Sequence, residues 1–234
     1  MKAAGENGMD LRRDIRQIGA CLAAEGLLLR GAFHDSGNND GGLAGPRTVL
    51  VIGNAGPSFW RAFSRHRRDE ANPMDAWVRR IVDPLAAACG GRARYPSDGP
   101  PYLPVQRLAL KAEAGRVMPS PIGLLMHRRY GLWHAYRAVI ECPGLLPLLD
   151  PAPGEADDFG CDRCIEQPCL KSCPVGAFRD GAYDVAACRK HVASAAGRAC
   201  LEGGCLCRHA CPVGQDNAYP PAQARFHMKS FLGG

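Results

Sequence analysis

Residues 161–173 read CDRCIEQPCLKSC, and PVGA follows at once. The chain returns to this pattern at residues 205–214, which read CLCRHACPVG. Nine of the twelve cysteines lie in the last third of the chain, at positions 161, 164, 169, 173, 188, 200, 205, 207 and 211. This segment holds few large apolar residues, and a segment of that size cannot stabilise itself by hydrophobic burial alone. We therefore expect the cysteines to hold it together.

The composition is that of an ordinary globular protein. The 234 residues are 46% hydrophobic and 22% charged, and no apolar run approaches the ~20 residues that a membrane span requires. The opening MKAAGENGMDLRRDIRQIG has no apolar segment long enough for a secretory signal, so we expect a cytoplasmic protein. Thiols stay reduced in the cytoplasm, where dense cysteines indicate metal binding rather than disulfides.

The part upstream of these cysteines combines helical and strand patterns. Apolar residues spaced by three and four predict a helix over residues 10–26, and the β-branched run TVLVIG at 48–53 predicts a buried strand. The Gly- and Asn-rich residues 31–46 are interpreted as a loop. Further helices are predicted at 57–66, at 73–88 with a kink or break around Pro84, and at 106–114. Residues 121–141 indicate two strands around a turn at 129–131.

The stretch LLPLLDPAPGEADD at residues 145–158 is proline-rich and acidic. Domain boundaries tend to fall in such segments. We place the boundary near Ala152, which predicts a larger strand-and-helix domain over residues 1–152 and a cysteine-rich domain over residues 153–234.

The first cysteine cluster has the spacing C-x2-C-x4-C-x3-C-P, close to the C-x2-C-x2-C-x3-C-P run of bacterial ferredoxins. In that run three thiolates bind one cubane cluster and the fourth cysteine reaches across to another. Both Cys-Pro pairs here are followed by Val-Gly, so the two copies predict pseudo-twofold symmetry and two [4Fe-4S] clusters. Zinc also takes four thiolates and is the alternative, although zinc sites do not require the C-x3-C-P spacing.

The repeat suggests a ligand assignment. The first cluster takes Cys161, Cys164, Cys169 and Cys211, and the second takes Cys173, Cys188, Cys205 and Cys207. Cys200 is then left over. It could replace Cys188 as a ligand, be a spare thiol or take part in redox chemistry, and the spacing leaves these three open. Elsewhere in the chain, Cys21, Cys89 and Cys142 are isolated in sequence and are expected to be inert buried thiols.

The formal net charge of +6 raises the question of nucleic-acid binding. In the basic run RAFSRHRRDE at residues 61–70, acidic residues are mixed with basic ones and the spacing is typical of a solvated helix face. Two thiolate-ligated cubane clusters of roughly 2− each would bring the charge to roughly +2. We expect the basic excess to balance cofactors, and expect neither a nucleic acid nor a membrane as a partner.

The cysteine-rich part resembles the corresponding modules of the epoxyqueuosine reductases and the reductive dehalogenases. The resemblance rests on four features: C-x-x-C, Cys-Pro, the lone cysteine of the element Asp184-x-x-x-Cys188, and the final G-C-x-C-x3-C-P. Those proteins join a nitroreductase-like, cobalamin-binding domain to a two-cluster ferredoxin module. The resemblance therefore implies an α+β fold class, with a nitroreductase-like α/β domain followed by a small ferredoxin-like [4Fe-4S] module.

Upstream, the chain is similar to the CblC-type cobalamin-processing proteins, which share the nitroreductase-like fold. The similarity lies in TVLVIGNAGPSFWRAF, in Val105-Gln106-Arg107 and in GLLMHRRYGLWHAYRAVI. It implies a corrinoid (cobalamin) site lined by Gln106, Arg107, Gly123, Leu125, His127, Tyr136 and Arg137. For His127, the resemblance and the sequence context leave two interpretations open, a ligand or proton donor and a hydrogen-bonded structural histidine.

Together these features predict an oxidoreductase that takes electrons from a redox partner protein. Its clusters would relay them to the corrinoid, lowering the oxidation state of cobalt and releasing an upper ligand or reducing a bound substrate. The alternatives are a non-catalytic electron carrier or cobalamin chaperone, and a reductase that uses FMN, which the parent fold binds. The fold often forms dimers, so a homodimer is expected. No catalytic residue can be named.

Overall fold

The computed structural model describes residues 14–37, 42–149, 160–179 and 181–233. The helices are α1 (Ile15–Ala24), α2 (Ser58–His66), α3 (Pro73–Ala88), α4 (Val105–Ala112), α5 (Pro168–Lys171), α6 (Val185–Val192), α7 (Arg198–Gly203), α8 (Leu206–Ala210) and α9 (Pro221–Leu232), with 3-10 turns at Ala195–Gly197 and Gln215–Asn217. The strands are β1 (Leu28–Asp35), β2 (Arg47–Ala55), β3 (Arg92–Arg94), β4 (Val117–Pro119), β5 (Leu125–His127), β6 (His134–Pro143), β7 (Phe178–Arg179) and β8 (Ala182–Tyr183). This mixture confirms the α+β fold class.

The chain divides into two compact units, and each is built from several segments. The first comprises Met1–Gly53, Ala62–Ala112 and Tyr136–Ala152, and the second comprises Asn54–Arg61, Glu113–Ala135 and Pro153–Gly234. The boundary near Ala152 lies outside the described residues, as does most of the linker, so the two-domain division at that point stays a prediction. Across the described ranges, none of the helices is long and apolar enough to cross a bilayer.

The first unit is organised by a four-stranded sheet with the order β1-β2-β6-β3. Every residue of β2 is buried, as expected for a central strand with a nearly continuous apolar sequence. Helix α1 contributes Ile15, Ile18 and Leu22 to the core. Its N-terminus is capped by the Asp14 carboxylate, which accepts a hydrogen bond from the Arg16 N–H. The predicted strand at 48–53 and the described part of the predicted helix over 10–26 are confirmed.

The predicted loop over residues 31–46 is wrong in its first part, because β1 continues to Asp35. Strand β1 pairs antiparallel with β2, and Gly31 lies opposite Val51. A Cβ atom at Gly31 would lie 2.2 Å from the carbonyl oxygen of Ala112, at the end of α4. The glycine therefore permits close packing of a helix on the strand, a role that sequence composition alone does not separate from that of a loop glycine.

Helix α3 runs without interruption from Pro73 to Ala88 with Pro84 inside it. Of the predicted kink or break, the break does not occur. A proline in a helix interior costs about 3 kcal/mol. The apolar face of α3 offsets this cost by burying six side chains: Met74, Trp77, Val78, Val82, Leu85 and Ala86. Strands β5 and β6 confirm the two strands predicted in 121–141, but they join different sheets, since β5 pairs with β4.

The second unit contains the β4-β5 hairpin, the short β7-β8 ribbon and the helices α5 to α9. The cysteines lie on or beside these short helices: Cys169 in α5, Cys188 in α6, Cys200 in α7 and Cys207 in α8. Helices this short are marginal without tertiary support. The arrangement of the second unit therefore depends on what its cysteines contact.

Candidate metal centre

Four cysteines line one pocket in the second unit, and we call them the first cysteine group. They are Cys161, Cys164, Cys169 and Cys211. The pocket also borders Ser120, Met126 and Leu132 of the segment that contains the β4-β5 hairpin, and the prolines 121, 168 and 212. These four are the residues that the sequence assigned to the first cluster. The structure places them together, and their role as ligands stays a prediction.

The C-x4-C spacing is accommodated by tight turns before α5. The Cys164 N–H donates to the Cys161 carbonyl at 3.4 Å, and the Gln167 N–H donates to the Cys164 carbonyl at 3.3 Å. Gln167 then adopts a left-handed conformation with φ of 39°, and Pro168 begins α5, the helix that carries Cys169. The additional residues point outward, since Ile165 is 93% exposed.

One wall of the pocket comes from a segment that precedes the predicted linker. Ile122, Met126 and Leu132 pack in one apolar cluster with Cys169, Cys207 and Cys211. In addition, the Cys161 N–H donates to the sulfur of Met118 at 3.2 Å. Sequence reasoning missed this wall, because nothing in the cysteine spacing points to residues about forty positions upstream. Met126 and Leu132 had no predicted role beside the cysteines.

Burial disfavours the thiolate form of three cysteines in the first cysteine group. Burial, with smaller contributions from neighbouring cysteines, raises the pKa of the Cys161 thiol to about 11. The pKa values of Cys169 and Cys211 are also raised, mainly by burial. Backbone N–H groups of Leu170 and Val213 oppose these shifts in part. Thiols with raised pKa values become thiolates when a cation compensates their charge, as iron or zinc does.

A second cysteine group consists of Cys173, Cys188, Cys200, Cys205 and Cys207, and its members interact electrostatically with one another. The Ala177 N–H donates to the Cys173 sulfur at 3.2 Å. The hydrogen bond between Cys205 and Cys207 lowers the pKa of Cys205 and raises the pKa of Cys207. This group has one thiol more than a cubane requires, and the structure places both Cys188 and Cys200 within it.

Two further hydrogen bonds distinguish Cys188 from Cys200. Burial, and then a hydrogen bond to Cys188, raises the pKa of Tyr183, so the Tyr183 hydroxyl is the donor to the Cys188 sulfur. Cys200 instead accepts from the backbone N–H of Leu206. Both thiols are therefore supported, and their individual roles as ligands stay predictions. Within the described residues, no three His, Cys, Asp or Glu side chains form a site for a single metal ion.

The residues expected to line a corrinoid site fall in both units. On α4 of the first unit, Gln106 and Arg107 are exposed, and on β6 Tyr136 and Arg137 are half-buried, with the Arg30 guanidinium 5.2 Å from the Tyr136 ring. In the second unit, Gly123 is exposed with φ of 75°, whereas Leu125 and His127 are buried. Their joint role in corrinoid binding stays a prediction.

His127 has polar contacts at both ring nitrogens. Nδ1 accepts from the backbone N–H groups of Arg129 at 3.0 Å and Tyr130 at 3.2 Å. Nε2 lies 3.5 Å from an oxygen of the buried Glu113 carboxylate. An Nδ1 that accepts leaves the proton of the neutral ring on Nε2, directed at that carboxylate. This is the geometry of a hydrogen-bonded structural histidine, one of the two interpretations that the sequence left open.

Cys89 and Cys142 are buried as predicted but are not isolated. Their sulfur atoms lie 2.6 Å apart, with Cys89 directly after α3 and Cys142 on β6. The hydrogen bond between them lowers the pKa of Cys89 and raises the pKa of Cys142. The two cysteines are 53 positions apart, so no local sequence pattern could predict their contact. Cys21, on α1, is half-buried.

Comparison with known proteins gives limited results. No protein-family model matches the chain, and no curated protein matches it. Among solved structures, the chain is similar to epoxyqueuosine reductase from Streptococcus thermophilus, with 15% identity and a TM-score of 0.46. The match covers 76% of this chain and 53% of that protein, so the chain spans about half the length of the protein it matches.

Proposed function

We propose that this protein is an iron-sulfur oxidoreductase that holds two [4Fe-4S] clusters in its second unit. The observation that carries the proposal is the first cysteine group, in which Cys211 joins three cysteines about fifty positions upstream at one pocket. Four thiols around a largely apolar pocket are the ligand set of a cubane cluster. Such a cluster, when bound, supplies transfer of single electrons.

The residues of the pocket fit this cofactor in three respects. Met126 and Leu132, 1% and 2% exposed, exclude water from one side. Hydrogen bonds from the backbone N–H groups of Leu170 and Val213 lower the pKa values of Cys169 and Cys211 against the larger effect of burial. In addition, the buried hydroxyl of Ser120 has no partner among the described residues. Burial and N–H donors of this kind set the reduction potential of a thiolate-ligated cluster.

For the second cluster we propose Cys173, Cys188, Cys205 and Cys207 as ligands, with Cys200 as a non-ligating neighbour. The support is the Tyr183 hydrogen bond at Cys188 and the Ala177 hydrogen bond at Cys173. Both cysteine groups border the same apolar cluster, to which Cys207 and Cys211 each contribute. Because both cysteine groups border one apolar cluster, this arrangement supports electron transfer between the two proposed [4Fe-4S] clusters.

The proposed acceptor is a corrinoid at Gln106, Arg107, Gly123, Leu125, His127, Tyr136 and Arg137, with a redox partner protein as electron donor. Support for the acceptor comes from the sequence similarity alone. The exposed Gln106 and Arg107 offer an amide and a guanidinium to the polar side chains of a corrin. We place this activity in the cytoplasm, where the thiols stay reduced.

Anaerobic reconstitution with iron and sulfide tests the proposal. We expect about eight iron and eight sulfide per chain, a broad visible absorbance that bleaches on reduction, and a further spectral change when cobalamin is added. Multiple-turnover removal of an upper ligand from cobalamin would distinguish an enzyme from an electron carrier or chaperone. Bound zinc without sulfide would overturn the iron-sulfur proposal, and bound FMN without cobalamin binding would overturn the corrinoid part alone.

A further inference from the structure

Ser120 follows β4 and has a buried side-chain oxygen. Within the ranges that the structure describes, the Ser120 Oγ has no hydrogen-bond partner. Both backbone polar groups of Ser120 are hydrogen-bonded: its N–H donates to the Leu124 carbonyl at 2.8 Å, and its carbonyl accepts from the Gly123 N–H at 3.1 Å. These bonds fix the position of the residue. A buried hydroxyl without a partner is unfavourable, so its presence indicates an acceptor that only the loaded site supplies.

The surroundings of Ser120 limit what this acceptor can be. Ser120 lines the pocket of the first cysteine group. Three lining residues are prolines, Met126 and Leu132 are apolar, and the remaining polar side chain, Gln167, is exposed to water. Among side chains, the acceptors left inside the pocket are sulfur atoms, those of the cysteines and those that a bound cubane would bring with it.

We propose that the Ser120 hydroxyl donates a hydrogen bond to a sulfur of the cluster held by the first cysteine group and raises the reduction potential of that cluster. This inference rests on the proposed function. Reduction adds negative charge to the cluster, and a hydrogen-bond donor favours the more negative form. A residue about forty positions upstream of the first cysteine motif would thus help to set the reduction potential of the first cluster.

Ser172, in the first cysteine motif at residues 161–173, provides a matched control for Ser120. It immediately precedes Cys173, yet its hydroxyl already donates to the Pro168 carbonyl at 2.7 Å. Its proton is therefore not available to a cluster. Removing this hydroxyl perturbs the end of α5 without removing a donor to sulfur, so the two serines separate a local structural effect from a hydrogen bond to the cofactor.

The test is a redox titration of the reconstituted full chain, followed by electron paramagnetic resonance. The signal of the first cluster is assigned by its loss in Cys161→Ala. In Ser120→Ala, we expect the ratio of reduced to oxidised first cluster at a fixed potential to fall by about threefold to tenfold, the tenfold limit being 59 mV for a one-electron couple. The second cluster should keep its potential. Ser172→Ala should keep both potentials. One exchangeable-proton coupling to the first cluster should be present in wild type and in Ser172→Ala and lost in Ser120→Ala.

If Ser120→Ala does not bind iron, a pair of variants of nearly equal shape provides the same test. Ser120→Thr keeps the hydroxyl and Ser120→Val does not, so only the valine variant should lower the potential. Equal first-cluster potentials in the threonine and valine variants, or in wild type and Ser120→Ala, would overturn the inference while leaving the proposed function intact. Failure of the wild-type chain to bind iron and sulfide would overturn the proposed function instead.

Discussion

The two cysteine groups of the second unit differ in number and in surroundings. The first has four thiols around one pocket, with Cys169 and Cys211 buried against an apolar wall. The second has five thiols and includes a half-exposed hydrogen-bond donor, Tyr183. Where the number of thiols equals the number of ligands that the proposed cubane requires, their placement supports a single ligand set. Where there is one thiol too many, individual hydrogen bonds must separate ligand from neighbour.

The largest effect that tests this contrast is the loss of a whole cluster from the first group. Cys211→Ala should reduce bound iron and sulfide to about half, because the remaining thiols cannot complete a cubane. It should remove the same paramagnetic signal as Cys161→Ala, although the two cysteines belong to different sequence motifs. Cys21→Ala, a half-buried cysteine on α1, is the control and should keep both clusters. Loss of different signals in the two variants would break the assignment.

The second group should respond unequally to loss of its two ambiguous thiols. Cys188→Ala should lose the second cluster, since it removes the sulfur that Tyr183 supports. Cys200→Ala should keep it. Iron analysis and the reduced-state signal provide the measurement. The opposite result would make Cys200 the ligand, and retention of the cluster in both variants would mean that either thiol can serve.

The apolar wall of the first group should matter for stability. Met126 is 1% exposed, so Met126→Ala should cost about 2–5 kcal/mol in free energy of unfolding by leaving a cavity. Leu124, two residues earlier and 38% exposed, is the matched control, and its alanine variant should change stability by less than about 0.5 kcal/mol. Denaturant unfolding of the reconstituted chain measures both. Equal losses of stability in the two variants would mean that the apolar wall does not stabilise the first cysteine group.

The smallest effect is expected at the donor of the second group. Tyr183→Phe removes the hydroxyl that bonds Cys188, and should lower the potential of the second cluster by less than the change from Ser120→Ala in the first. The reason is that Tyr183 is 41% exposed, and water can replace part of the lost bond. Tyr102→Phe, at a residue 67% exposed, should leave both potentials unchanged. A redox titration that finds a larger shift for Tyr183→Phe would contradict this order.

The fold was predictable where a local pattern had one physical meaning. The apolar periodicity of α1 and the β-branched run of β2 were sufficient, because burial of those residues is what forms each element. Gly31 had two meanings, a loop residue or a close helix contact, and only the position of Ala112 distinguishes them. Likewise, Pro84 alone predicts a kink or a break, and only the buried face of α3 explains why the helix continues through it.

The cysteine spacing by itself predicted which thiols would come together, apart from the choice between Cys188 and Cys200, because short loops constrain where neighbouring sulfurs can lie. It also indicated that Cys211 crosses to the first three cysteines. Only the tertiary structure decided what surrounds them. The wall from Met126 and Leu132, the position of Ser120 at the same pocket and the contact between Cys89 and Cys142 all bring together residues distant in sequence. Such contacts are fixed by packing, which no local pattern records.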